Sequence, residues 1–266
     1  MKIFNPGMFD REMLEGQDIV FDMDGTLIEG DIGETLFYHT LLAASIYPSS
    51  TVTRIAPISE KELKKPVILS EEYAELLINY RTKISSQLFG EAYIKAAQWL
   101  EKYPRKDLEK LTYAFLTDHK APKTIKCKAQ INNTITYMKI PYGAHIRPVM
   151  REIVAYFIKC KVNLWIVSAS PQTICEKVAD ELGIDRKRVI GVKVRVTEQE
   201  HPRLPWGANK LDALKEASVF QPLIVFGDGE GDLEMLAMAK YPVVVEDGSA
   251  KLVELAEKQG WLIYPC

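Results

Sequence analysis

From residue 141 to its end the chain alternates short apolar runs with amphipathic helical stretches, a pattern that few folds accept. The run Val162-Asn163-Leu164-Trp165-Ile166-Val167 has the length and composition of a buried strand. A helical pattern over residues 172–182 follows, stopped by Gly183. Further strands are expected over 189–196, 223–226, 242–245 and 262–264, with helices over 209–217, 232–239 and 249–259 between them. Such alternation predicts a parallel sheet with right-handed crossovers. One more apolar run, Ile19-Val20-Phe21, stands near the start, after a stretch expected to hold a short helix.

Between that run and residue 141 the spacing of apolar residues is helical. Leu36, Phe37, Leu41 and Leu42 open the series, and stretches 71–88, 91–103 and 107–117 continue it. Pro48, Pro57, Pro66, Pro104 and Pro122 break these segments. Residues 125–140 are ambiguous by period and are assigned to helix. The expected fold class is therefore α/β: a Rossmann-like parallel sheet core built from residues 1–32 and 141–266, interrupted by an all-helical domain over 33–140.

Composition excludes some functions. At 47% hydrophobic and 26% charged residues over 266 positions, the chain has the make-up of a soluble globular protein. A net charge of −2 supplies no basic field for nucleic acid, and no apolar run is long enough to span a membrane. The first 18 residues lack the apolar core of a signal peptide. Cys127, Cys160, Cys175 and Cys266 show no paired spacing, so a reducing, cytoplasmic setting is expected. His39, His119, His145 and His201 show no metal-ligand spacing.

Four polar clusters fall at predicted strand ends or helix starts. In Asp22-Met23-Asp24-Gly25-Thr26, alternate acids leave one strand for one pocket, where one carboxylate could attack while the other moves a proton. An Asp-Gly turn is the plainer reading. Calcium-hand spacing is absent, because the glycine comes too early. In Ser168-Ala169-Ser170-Pro171, Ser170 suits a helix N-cap with Pro171 first in the helix, and Ser168 could hold a phosphate oxygen. Lys210 opens an amphipathic helix, where it is either solvated or neutralises an anion. Gly227-Asp228-Gly229-Glu230-Gly231-Asp232 joins a strand to a helix, with acids that Mg²⁺ would accept. Two acidic and two phosphate-friendly clusters at one sheet edge point to metal-assisted phosphoryl chemistry.

With these motifs in this order, the chain resembles the haloacid dehalogenase superfamily in its phosphatase branch. Asp22-Met23-Asp24-Gly25-Thr26 is similar to that family's first motif, Ser168 to its second, Lys210 to its third, and Gly227-Asp228-Gly229 through Asp232 to its fourth. The resemblance implies that Asp22 is a nucleophile forming an aspartyl-phosphate and Asp24 a general acid and base. It implies Mg²⁺ held by Asp22, the main-chain carbonyl of Asp24, and Asp228, with Asp232 orienting a metal-bound water or Lys210. Ser168, Ala169 and Lys210 would bind the phosphoryl group. A long insertion fits only between Asp22 and Ser168, since 168 to 210 holds about one helix-strand-helix passage. That position is similar to subfamily I, with a helical C1 cap, and to phosphoserine and phosphocholine phosphatases. Ser-Ala-Ser departs from the usual Ser-Gly-Gly of phosphoserine phosphatases. In this group Asp31 and Glu34 lie where an acid reads a substrate amine; a turn residue and a first-turn helix acid explain them equally well. Phe37, Tyr38, Trp99 and Trp206 could stack on a choline group, though core packing accounts for them better. The expected activity is Mg²⁺-dependent hydrolysis of a small phosphomonoester, with no nucleic-acid or membrane partner. A phosphomutase and a non-catalytic phospho-ligand binder remain as alternatives.

Overall fold

The computed structural model describes residues 2–47, 58–117, 122–131, 134–194 and 203–265. Pro48, Pro57, His119, His201, Cys266 and the last two residues of the strand expected over 189–196 lie outside them. In chain order the strands are β1 (Lys2–Ile3), β2 (Asp18–Phe21), β3 (Ile28–Glu29), β4 (Val67–Leu69), β5 (Lys123–Ile131) and β6 (Thr134–Tyr142). They continue with β7 (His145–Ile146), β8 (Asn163–Pro171), β9 (Val189–Val192), β10 (Ile224–Gly227), β11 (Tyr241–Val245) and β12 (Leu262–Tyr264). The chain divides into two compact units. One comprises Met1–Glu29, Ile146–Val192 and Arg203–Cys266; the other comprises Gly30–His145 and Lys193–Pro202.

The first unit is built on a seven-stranded sheet of order β1-β12-β11-β10-β2-β8-β9, with every described pair parallel. Its central strands are apolar without interruption because both faces are covered. On one face Phe21 stacks on Phe226, with ring centroids 4.5 Å apart and planes at 9°. Phe4 and Phe157 close around that pair. On the other face Val20, Val225 and Val244 pack with Leu214, Leu236 and Leu252 from the helices. Each such side chain contributes about 1.5–3 kcal/mol of burial. After β2 the chain builds outward through β8 and β9, then returns to the other flank of β2 with β10. The reversal leaves the carboxyl ends of β2 and β10 adjacent, which is where open α/β sheets bind ligands. The helix Gln172–Leu182 forms as its periodicity predicts and ends in Gly183, at φ 73°.

The second unit corrects one expectation: it is not all helical. Helices Ile32–Ile46, Glu71–Ser85, Phe89–Leu100 and Arg105–Thr117 are present. Of residues 125–140, read as helix, 125–131 and 134–140 instead belong to the antiparallel pair β5–β6, with β4 parallel to β5. In β5, Ile125, Cys127 and Ala129 are buried while Thr124, Lys126 and Gln130 face out, a period of two. Thr134, Ile135, Thr136, Tyr137 and Ile140 also suit an extended backbone better than a helix. Phe37, Tyr38 and Trp99 are buried among other aromatic rings, as the packing reading had it. His39 is buried too, its Nδ1 2.6 Å from the Tyr142 hydroxyl. No helix among the described residues is long and apolar enough to cross a membrane.

Candidate active site

The first unit brings four of the sequence motifs together. Asp22 follows β2 directly and Asp228 follows β10, and the register Phe21↔Phe226 sets these ends side by side. The turn after Asp22 is tight: the Ile28 N–H donates to the Met23 carbonyl at 2.9 Å. Gly25 sits there at φ 83°, and a Cβ on it would lie 2.1 Å from Asp228 Oδ2. Only glycine lets the Asp228 carboxylate approach the first motif this closely.

Lys210 is buried and bridges two acids. Its Nζ donates to Asp22 Oδ1 at 2.5 Å and to Asp232 Oδ1 at 2.6 Å. Asp232 Oδ2 in turn accepts the N–H groups of Asp228 and Gly229, at 3.1 and 3.0 Å. Burial would lower the Lys210 pKa, but Asp22 and Asp232 more than offset it and hold the ammonium charged. Asp22 is pushed well above the usual carboxylate range by burial and by the charge of Asp232, against the pull of Lys210. Asp228, whose Oδ1 accepts the Thr26 hydroxyl at 3.3 Å, is raised to about 7 by burial and by Asp232.

The Asp24 carboxylate turns elsewhere. Its Oδ2 accepts the hydroxyls of Ser170 at 2.7 Å and Ser168 at 3.2 Å. The Ser170 N–H donates to Ser168 Oγ at 2.9 Å. Here the expected N-cap role of Ser170 is corrected. β8 runs on to Pro171, which itself caps the helix, and Ser170 spends its hydroxyl on Asp24, a carboxylate being the stronger acceptor. The β2–β8 ladder ends at Phe21↔Ile166 and the β8–β9 register shifts between Val167 and Pro171. Ser168, Ala169 and Ser170 therefore lie in an irregular strand end.

Two bracing elements were not legible in the sequence. The buried Arg147 donates from one Nη2 to the Gly25 carbonyl at 3.1 Å and to both oxygens of Asp247, at 3.1 and 2.9 Å. The Ser249 N–H donates to the Asp228 carbonyl at 2.7 Å, and a Cβ on Gly248 would lie 2.2 Å from that oxygen. Arg147 follows no apolar run expected from the sequence, and Gly248-Ser249, at the start of the helix expected over 249–259, carry no charged group to mark them. Trp206 packs on Gly231, where a Cβ would meet its Nε1 at 2.8 Å.

Asp31 and Glu34 belong to the second unit. Asp31 is the N-cap of helix Ile32–Ile46, its Oδ1 accepting the Glu34 N–H at 2.6 Å. Glu34 accepts the hydroxyl of buried Tyr38 at 2.5 Å. Burial and Glu34 together push the Tyr38 phenol far up.

The carboxylates suit a hard divalent cation. Asp22, Asp228 and Asp232 each offer an oxygen within 4.8 Å of the other two. Asp22 Oδ2 is buried with no hydrogen-bond partner. An oxygen-only, anionic donor set is what Mg²⁺ prefers.

A model of the haloacid dehalogenase-like hydrolases matches residues 19–240, most of the chain. The chain belongs to that family. Several solved structures share the fold of this haloacid dehalogenase-like hydrolase at low identity. A functionally unknown protein from Anaerococcus prevotii is 15% identical with a TM-score of 0.62, covering 99% of this chain and 87% of its own. A protein of unknown function from Bordetella pertussis is 13% identical, also at 0.62, covering 94% and 98%. A substrate-bound phosphoserine phosphatase is 13% identical at 0.54, covering 94% and 93%. No curated protein sequence matches the chain significantly.

The raised proton affinity of Asp228 gives the hydrolase a signed pH dependence. Between pH 4 and pH 7 the unfolded chain has released this proton and the folded one retains it. The metal-free protein should therefore lose stability as pH rises across that window, by up to about 1.4 kcal/mol per pH unit. A divalent cation that bound the ionised carboxylates would offset the loss, and Mg²⁺ bound there would raise Tm more at pH 8 than at pH 5.5. Thermal melts with Mg²⁺ and with EDTA at both pH values measure this; a metal-free Tm that rises with pH contradicts it.

Proposed function

We propose that this hydrolase is a Mg²⁺-dependent phosphatase, splitting a small phosphomonoester through an aspartyl-phosphate on Asp22. The observation that carries the reading is the buried Asp22 carboxylate: Lys210 holds one oxygen, and the other has no hydrogen-bond partner. A buried carboxylate so held is poised to act on a ligand rather than to support the fold.

Asp22 and Asp228 would hold the cation, with the main-chain carbonyl of Asp24, and Asp232 would fix Lys210. Mg²⁺, when bound, would neutralise charge between the carboxylates and the incoming phosphoryl group. The Asp22 oxygen forms a bond to phosphorus as the ester P–O bond breaks, and Asp24 gives its proton to the departing oxygen. A water then attacks phosphorus while Asp24 takes its proton, which releases inorganic phosphate and regenerates the Asp22 carboxylate. Lys210, the Ser168 hydroxyl and the main chain at Ala169 would bind phosphoryl oxygens. Ser170, the closer of the two donors to Asp24, would keep its carboxyl in place while Ser168 turns to the substrate.

An amine-bearing substrate is favoured by the acids Asp31 and Glu34, which would pair with its ammonium. Because Asp31 also caps a helix, alanine there would cost about 1 kcal/mol of stability for unrelated reasons. Asn keeps the cap, so Asp31→Asn and Glu34→Gln are the informative variants. Phosphate release from a panel of phosphorylated metabolites with Mg²⁺ should be highest for amine-bearing esters. On these the two variants should raise KM about tenfold or more, while a neutral monoester is unaffected. Equal loss on both substrate types contradicts the recognition role. Turnover that needs a bisphosphate and releases no phosphate contradicts the hydrolase reading itself.

A further inference from the structure

The first unit carries a cavity at the opposite end of its sheet from the carboxylates. It is a cleft open to solvent where β11 and β12 begin, beside the turn Pro6–Met8, with a volume of about 620 Å³. That volume lies in the range of small-molecule sites. Met8, Phe9, Met13, Tyr241 and Trp261 give it apolar walls. Methionines and aromatic rings adapt to planar or irregular apolar bodies.

Its charge is one-sided. Lys2 and Lys240 line it and no acidic side chain does. Lys240 Nζ lies 5.5 Å from the Tyr241 ring centroid. Among the described residues neither lysine has an ion-pair partner. Elsewhere on this surface lysines do find acids, as Lys258 does with Glu254 at 2.6 Å. Two cations beside apolar side chains complement a ligand that is apolar at one end and anionic at the other.

We propose that this cavity is a binding site for a small amphipathic anion, an aromatic or aliphatic body bearing a carboxylate, sulfonate or phosphate. The site is independent of the proposed hydrolysis: none of its residues belongs to the carboxylate cluster.

Titration with 8-anilinonaphthalene-1-sulfonate tests it, with the uncharged N-phenyl-1-naphthylamine as control. One anilinonaphthalenesulfonate should bind per folded chain and take energy from Trp261, a transfer that Trp261→Phe reduces. The double variant Lys2→Gln/Lys240→Gln should weaken it about tenfold, as loss of charge-assisted contacts requires, and leave the naphthylamine unaffected. Phosphate release by the double variant should match that of the unaltered protein. The proposal is overturned by an absence of saturable binding, by sulfonate affinity unchanged in the double variant, or by equal affinity for the uncharged control. Because the readout is binding, it stands or falls apart from the phosphatase reading.

Discussion

Asp22→Asn is expected to lower phosphate release by roughly 10⁴-fold or more, with KM little changed. The amide cannot attack phosphorus, and the carboxylates of Asp24 and Asp232 are engaged elsewhere. Asp24 is tied to Ser168 and Ser170, and Asp232 to Lys210 and two main-chain N–H groups. Losses of that order follow removal of a nucleophile from a group that acts as a unit. The fold should persist. Asn keeps the shape of the side chain and removes a buried charge that the folded state holds at a cost. Steady-state phosphate release together with a thermal melt separates the two effects. Activity within about tenfold of the unaltered protein would remove the covalent role of Asp22.

Lys210→Met should damage both fold and activity. Lys210 is 3% exposed and its ammonium lies between Asp22 and Asp232. Removing it leaves two buried acids facing each other, and breaking a buried pair costs about 3–5 kcal/mol. In metal-free protein this should appear as a large fall in Tm, greatest at pH values where the acids ionise. Mg²⁺ should recover part of the stability without recovering turnover, because the phosphoryl oxygens still lack their cation. A Tm unchanged by the substitution at pH 8 would contradict the geometry on which the site is built.

The sequence revealed the core because burial on both sheet faces writes itself as uninterrupted apolar runs. Ile19-Val20-Phe21 and Val225-Phe226 are buried for that reason, and the polar residues that follow them become the site. The helix Gln172–Leu182 was legible because one amphipathic period ends in a glycine. The β5–β6 pair was not, although Ile125, Cys127 and Ala129 alternate with polar residues. A neighbouring series of strong helical periods outweighed a short period-two signal. Ser170 departs from its local pattern for a different reason. Ser-Pro ahead of a helix is good local capping chemistry, and it lost to an acceptor that is remote in sequence, Asp24. Arg147 carried no local signal at all, since its partners at Gly25 and Asp247 are joined to it only by the fold. Local rules thus found the acids that terminate strands, together with Lys210 and Ser168 that bond them, and missed Arg147 and the bond from Ser170 to Asp24.

Acid-quenched single turnover with peptide mapping tests the central claim most directly. Protein mixed with Mg²⁺ and a phosphomonoester that it hydrolyses, then quenched before turnover completes, should carry a phosphoryl adduct on the peptide containing Asp22. The adduct should be absent from Asp22→Asn. Turnover at the full rate with no adduct at Asp22, or with the adduct on another residue, would contradict the account.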